Sequence, residues 1–184
     1  MAGRTYSTEA VVLRSFRLGE ADRVLHLYTL DRGRVSAVAK GIRKTKSRFG
    51  ARLEPLSHVE LLLHQGSGEL QTVTGVELLR SHRSAREDQY RLGVGLIGAE
   101  AMLRLFPEQE QNARAFEALT RFLDLLDELP VRAARAALDP LALLDRLAQV
   151  ARAQLRDAAV VLLAEGRRCG FRLLDVVLDA WVGA

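Results

Sequence analysis

Short apolar runs punctuated by turn signals fill the first eighty positions. TEAVVLRSF (Thr8 to Phe16), VLHLYTL (Val24 to Leu30), RVSAVAK (Arg34 to Lys40), HVELLLHQ (His58 to Gln65) and ELQTVTGVEL (Glu69 to Leu78) are rich in β-branched and aliphatic residues. Runs of this length and composition predict strands. LGEAD, DRG and GSG lie between them as turns, and one long insert, KGIRKTKSRFGARLEP (Lys40 to Pro55), parts the third strand from the fourth. Five such strands predict a small closed barrel, because an open sheet would leave its hydrogen-bonding edges bare.

From Ser81 the apolar period lengthens from two to about 3.6. Leu92, Leu96, Ala99, Leu103 and Phe106 predict one helix face, with Ser84 and Glu87 as a capping box and Pro107 as the stop. Phe116, Leu119, Leu123 and Leu126 predict a second helix ending before Pro130. Asp139 and Pro140 open a third, which buries Leu144, Leu147, Ala151 and Leu155 and stops near Gly166, and Leu173 to Val182 forms a fourth. The expected fold class is α+β, with a β-barrel module over residues 1–80 and an all-α helical module over 81–184, joined by a short polar link.

Charge changes the picture of the first module. The chain carries 27 basic and 23 acidic residues, but 13 of the basic and only 8 of the acidic ones precede residue 81, leaving 14 against 15 beyond it. All three lysines, Lys40, Lys44 and Lys46, lie in the long insert, and no acidic residue occurs between Asp31 and Glu54. A field of one sign attracts polyanions, of which nucleic acid is the commonest. The single cysteine, Cys169, can form no internal disulfide and suits a reducing compartment. No stretch has the length and apolarity of a signal peptide or a membrane span, so a cytoplasmic protein is expected.

Signals of catalysis are missing. GVGLIG (Gly93 to Gly98) matches the dinucleotide-binding pattern, but it falls in mid-helix with no strand before it. Its glycines are expected to serve close helix packing instead. His26, His58, His64 and His82 show no metal-ligand spacing, and no nucleophile, base and orienting group fall together. The insert remains. As a solvated loop it would carry balancing acids; instead it has cations, the ring of Phe49, and glycines at Gly41 and Gly50, the combination by which single-strand binders contact phosphates and bases. The alternative is a non-enzymatic protein-interaction module that docks acidic partners through the same basic loop.

The segment LGEADRVLHLYTLDRGRVSAVAKGIRKTKSRFGARLEP (Leu18 to Pro55) also resembles the N-terminal part of the RecO recombination and repair proteins. The LGEADR turn, Thr29 to Arg34, Ala37 to Lys44 and Ser47 to Pro55 carry the likeness, in order, and it extends from about Tyr6 to Leu78 and more weakly through the helices to about Leu143. The resemblance implies an N-terminal OB-fold followed by an all-α helical domain. It implies no enzymatic activity and no cofactor. The implied activity is binding of single- and double-stranded DNA and annealing of complementary strands, with RecR and single-stranded-DNA-binding protein as partners, RecA loaded indirectly, and a nucleoid-associated location. Carried onto this chain, the DNA-contacting candidates are Lys40, Arg43, Lys44, Lys46, Arg48 and Arg52, with Arg14, Arg34 and Phe49 behind them. Many members hold a zinc ion with two C-x-x-C pairs; here Ala158 and Val161 stand where the first pair would fall and Cys169 is alone, so no zinc site is expected. The chain is also expected to lack the family's last helices, which would leave the docking surface for the tail of single-stranded-DNA-binding protein incomplete.

Overall fold

The structure, a computed structural model, describes residues 3–45, 47 and 49–128, all within one compact unit. The expected helices beyond Pro130, the region around Cys169, and the candidates Lys46 and Arg48 lie outside the described residues.

Five strands form where the short apolar runs lie: β1 (Arg4–Leu18), β2 (Asp22–Thr29), β3 (Gly33–Ala39), β4 (His58–Gln65) and β5 (Gln71–Arg80). They close into a barrel in the order β1-β2-β3-β5-β4. All pairings are antiparallel except a short parallel one of β3 with β5, at Ala37↔Gln71 and Val38↔Thr72. A five-stranded Greek-key barrel of this kind is an OB-fold. Ala10, Val12, Leu25, Leu27, Val35, Ala37, Val59, Leu61, Leu63 and Val73 point inward and form its core. Along β1 the alternation breaks between Val12 and Arg14, where Leu13 is an extra, bulged residue. A bulge re-aims the side chains beyond it. After this one, Arg14 and Phe16 face solvent, whereas Val11 before it and Leu13 itself are buried.

Three helices follow among the described residues: α1 (Arg83–Glu87), α2 (Gln89–Leu105) and α3 (Ala113–Glu128). In α3 the buried face contains Phe116, Leu119, Leu123 and Leu126, as the spacing predicts. In α2 the expected stripe is displaced. Its buried residues are Arg91, Val94, Gly95, Gly98, Ala99, Ala101 and Met102, while Leu96 is 43% exposed. The predicted capping box is also replaced, since the side chain of Asp88 accepts from the Arg91 N–H at 2.9 Å and opens α2. The reason for the rotated face is close approach. A Cβ on Gly95 would sit 2.6 Å from Leu56 Cδ1 and 3.2 Å from Leu126 Cδ2, and one on Gly98 would sit 2.7 Å from Phe122 Cε1. GVGLIG is a packing seam rather than a nucleotide loop.

Several contacts among the described residues tie the helices to the barrel. His82, buried at the junction, bridges the Leu56 carbonyl at 2.7 Å and the Asp124 carboxylate at 3.0 Å. Arg34 on β3 donates to the Leu103 carbonyl and pairs with Glu108 at 3.0 Å. Just after α2, the Gln109 N–H donates to the Arg34 carbonyl at 2.9 Å, adding a short strand-like piece to the β3 edge that β5 leaves free. Glu110 then crosses Gly33 so tightly that a Cβ there would lie 1.9 Å from its carbonyl oxygen, and Gly33 also has φ of +61°. Only glycine fits that crossing.

The α2 glycines should therefore respond in opposite ways. Gly93 has nothing within 4 Å of a built Cβ. Gly93→Ala should stabilise the fold by about 1 kcal/mol through helix propensity, and Gly95→Val should destabilise it by about 2 kcal/mol through overpacking. Urea unfolding of both variants checks this, and a stable Gly95→Val would remove the seam.

Candidate nucleic-acid interface

The described residues of the long basic insert form a plug, anchored from behind. Ile42, Phe49 and Leu53 enter the hydrophobic core cluster with exposures of 9%, 0% and 0%. Each fully buried side chain of this size contributes about 1.5–3 kcal/mol. With these apolar residues fixed at the barrel, Arg43, Lys44 and Arg52 between them are left on the outside. The sequence offers Phe49 as a stacking candidate; its complete burial leaves no ring surface open to a base, and its role is that of an anchor.

The start of the plug is held by the β1–β2 turn. The Gly41 N–H donates to Asp22 Oδ1 at 2.7 Å, and the Arg43 N–H to the Ala21 carbonyl at 2.9 Å. Gly41 takes φ of +70°, which a side chain would strain. Further on, the Lys44 N–H reaches the Gly41 carbonyl at 3.1 Å and the Ser47 N–H the Lys44 carbonyl at 2.9 Å, so the segment folds as consecutive turns. It ends in a short 3₁₀ helix, Gly50–Leu53. Beyond it Leu56 and Ser57 exchange backbone hydrogen bonds with Val12 at 2.8 and 3.0 Å, which fixes the way into β4.

Lys40, Arg43, Lys44 and Arg52 are exposed on this plug. Arg43 also reaches the Gly19 carbonyl at 3.4 Å and Arg52 the Val76 carbonyl at 3.1 Å. Both contacts are to neutral oxygens, which among the described residues leaves the positive charge uncompensated. The second-rank arginines differ. Arg34 is only 21% exposed in its side chain, and its donors are occupied by Leu103 and Glu108, so it serves as a clamp between barrel and helices. Arg14 pairs with Glu100 of α2 yet keeps a side-chain exposure of 45%, and its guanidinium lies 5.6 Å from the Phe16 ring centroid. The Arg104 hydrogen bond, with Arg14 assisting, holds the Glu100 carboxyl below its ordinary range. Next to Arg14, burial and then the Arg14 charge lower the His26 pKa, so this imidazole is neutral at pH 7.

Sequence reasoning missed Asp22. It looks like one more turn acid, but it is the residue whose carboxylate receives the first amide of the plug. Its place at the end of the LGEAD turn, opposite the only long insert, was the available signal. Among the described residues no group of His, Cys, Asp and Glu is placed to hold a metal ion, and no helix is long and apolar enough to cross a membrane.

Fold and site together define a protein with an OB-fold barrel whose β3–β4 connection carries an acid-free run of cations on a buried apolar footing. Comparison with known proteins narrows this to a family. Residues 1–82 match the family model described as "Recombination protein O N terminal". A "DNA repair protein RecO" from Rubrobacter xylanophilus is 46% identical over 125 residues, covering 67% of this chain and 49% of the relative. One from Nocardioides is 47% identical over 107 residues, 58% of this chain and 43% of the relative, and one from Heliobacterium modesticaldum is 42% identical over 144 residues, 78% and 52% respectively. The chain belongs to the RecO family, and it spans about half the length of the curated relatives it matches.

If Asp22 sets the plug, Asp22→Ala should cost about 1–2 kcal/mol in unfolding free energy and should speed amide hydrogen exchange at Gly41 and Arg43 more than at core positions such as Leu25 and Leu61. Uniform acceleration would show that Asp22 acts on the whole barrel and not on the plug.

Proposed function

We propose that this chain is the DNA-binding part of a DNA repair and homologous recombination protein of RecO type. It holds single- and double-stranded DNA through the outer side of the plug and anneals complementary strands. The observation that carries this reading is the set of exposed cations Lys40, Arg43, Lys44 and Arg52, which form no ion pair among the described residues, on a segment fixed by buried Ile42, Phe49 and Leu53. The names of the relatives support it, as each is called a DNA repair protein.

Annealing needs two polyanions brought side by side. Cations held outside a barrel lower the repulsion between two backbones and leave the bases free to pair, and no bond is made or broken by the protein. The activity proposed is accordingly non-enzymatic and uses no cofactor. Binding should be driven largely by counterion release and fall steeply with salt. In this reading RecR and single-stranded-DNA-binding protein are the protein partners, and RecA is loaded as the outcome of their joint action.

The test is the triple variant Lys40→Glu, Arg43→Glu, Lys44→Glu, all on exposed positions. Single-strand affinity should fall on the order of tenfold or more, with a salt slope shallower by about two. Annealing rates equal to the parent's at physiological salt would remove the plug from the mechanism. Lost binding to a partner protein with oligonucleotide affinity unchanged would favour the docking of acidic proteins instead.

A further inference from the structure

With Phe49 buried, the plug supplies cations but no exposed aromatic ring among its described residues, and contact with bases must come from elsewhere. The register of the outer barrel face shows where. Phe16 pairs with Val24, and Val24 with Val38, so these three lie in one row across β1, β2 and β3. Arg14, His26 and Ser36 form the next row by the same pairings. On the other side, Leu18 pairs with Asp22, and Lys40 comes one residue after the last β2–β3 pair, Arg23↔Ala39. Side chains on one face recur every second residue, so the rows are about 7 Å apart, and neighbouring strands are about 4.8 Å apart. The Phe16 row is thus an apolar strip, open at Phe16, half-covered at Val24 and buried at Val38, with Lys40 toward one end and Arg14 toward the other.

Within that strip Phe16 is 45% exposed, although a phenyl ring on a barrel wall is more stable when covered. It is held in place: the His26 ring meets it edge-on, with centroids 5.4 Å apart and planes at 89°, and the Arg14 guanidinium lies over the ring, 5.6 Å from its centroid. His26 is in turn fixed by Ser36 at 3.2 Å. The acids nearby are occupied, Asp22 with the Gly41 amide and Glu100 with Arg14 and Arg104; Glu20 lies in the β1–β2 turn. A fixed, exposed ring on an apolar strip with a cation beyond each end has the chemistry of a nucleobase platform, since every base has a π-face to stack and a phosphate on either side of it.

We infer that Phe16, braced by His26 and Arg14 on the outer β1–β2–β3 face, stacks on an unpaired base and favours binding of single over double strands. The inference rests on the DNA-binding reading above and adds to it a residue outside the plug. In a duplex the bases are already stacked and cannot reach the ring, so Phe16 contributes to one substrate and not to the other.

The test uses the full chain and a fluorescein-labelled oligothymidylate beside a duplex of equal length. Phe16→Ala should weaken single-strand binding about tenfold, with duplex binding and the salt slope within twofold of the parent. Phe16→Tyr should restore single-strand affinity, and Phe16→Leu, apolar but without a π-face, should not. Because the position is exposed, all three variants should keep the parent's thermal unfolding midpoint. Full single-strand affinity in Phe16→Ala or Phe16→Leu, while the charge-reversed plug variant loses it, would overturn this inference alone. Equal losses for single strand and duplex in Phe16→Ala would overturn it as well. A parent chain that binds neither oligonucleotide at low salt would overturn the DNA-binding reading and this inference with it.

Discussion

The insertion of Ile42, Phe49 and Leu53 into the end of the barrel is the interaction on which the rest depends. A basic segment of that length without anchors would be a solvated loop, its cations repelling one another and its backbone free. Ordering it costs about 1–2 kcal/mol per residue in backbone entropy alone. The three apolar side chains supply burial against that cost, and the Asp22 to Gly41 hydrogen bond sets where the segment begins. The anchors and the cations are therefore one design: fixing the first faces the second toward solvent.

The barrel is in turn held by the helices and the α2–α3 connection. Glu110 crosses Gly33, Gln109 extends the free edge of β3, Arg34 clasps the end of α2, and His82 joins the Leu56 carbonyl to Asp124 of α3. The first three of these contacts lie at β3, whose pairing with β5 has only two positions and is the weakest seam of the closed sheet. Gly95 lets α2 approach Leu56, the residue that leads into β4 and bonds back to Val12. Helices and plug thus converge on the same short stretch before β4, which links the stability of the helical layer to the position of the cations.

Much of this was legible in the sequence, for reasons that can be named. The five strands appear where short β-branched runs stand between glycine-containing turns, and α3 appears because four large apolar residues keep a strict helical spacing. The face of α2 is hard to read because its leucines dominate the pattern, while the close contact is made by Gly95 and Gly98, whose value lies in having no side chain. Phe49 misleads for a similar reason. An aromatic among cations suggests an exposed ring, yet its true companions are Ile42 and Leu53, a sparse apolar series that marks an anchored segment. Phe16 reads as an ordinary strand residue because the bulge at Leu13, which turns it outward, leaves no mark that alternation alone could reveal.

Since all three lysines of the chain lie in the plug, an amine-reactive reagent reports on that segment and, besides it, only on the chain terminus. Modification of Lys40, Lys44 and Lys46, with mass spectrometry in the presence and absence of a single-stranded oligonucleotide, is the most direct measurement of whether DNA sits there. The account predicts that bound DNA slows labelling of these lysines several-fold and that salt restores it in step with dissociation. Unchanged labelling while DNA is demonstrably bound would contradict it.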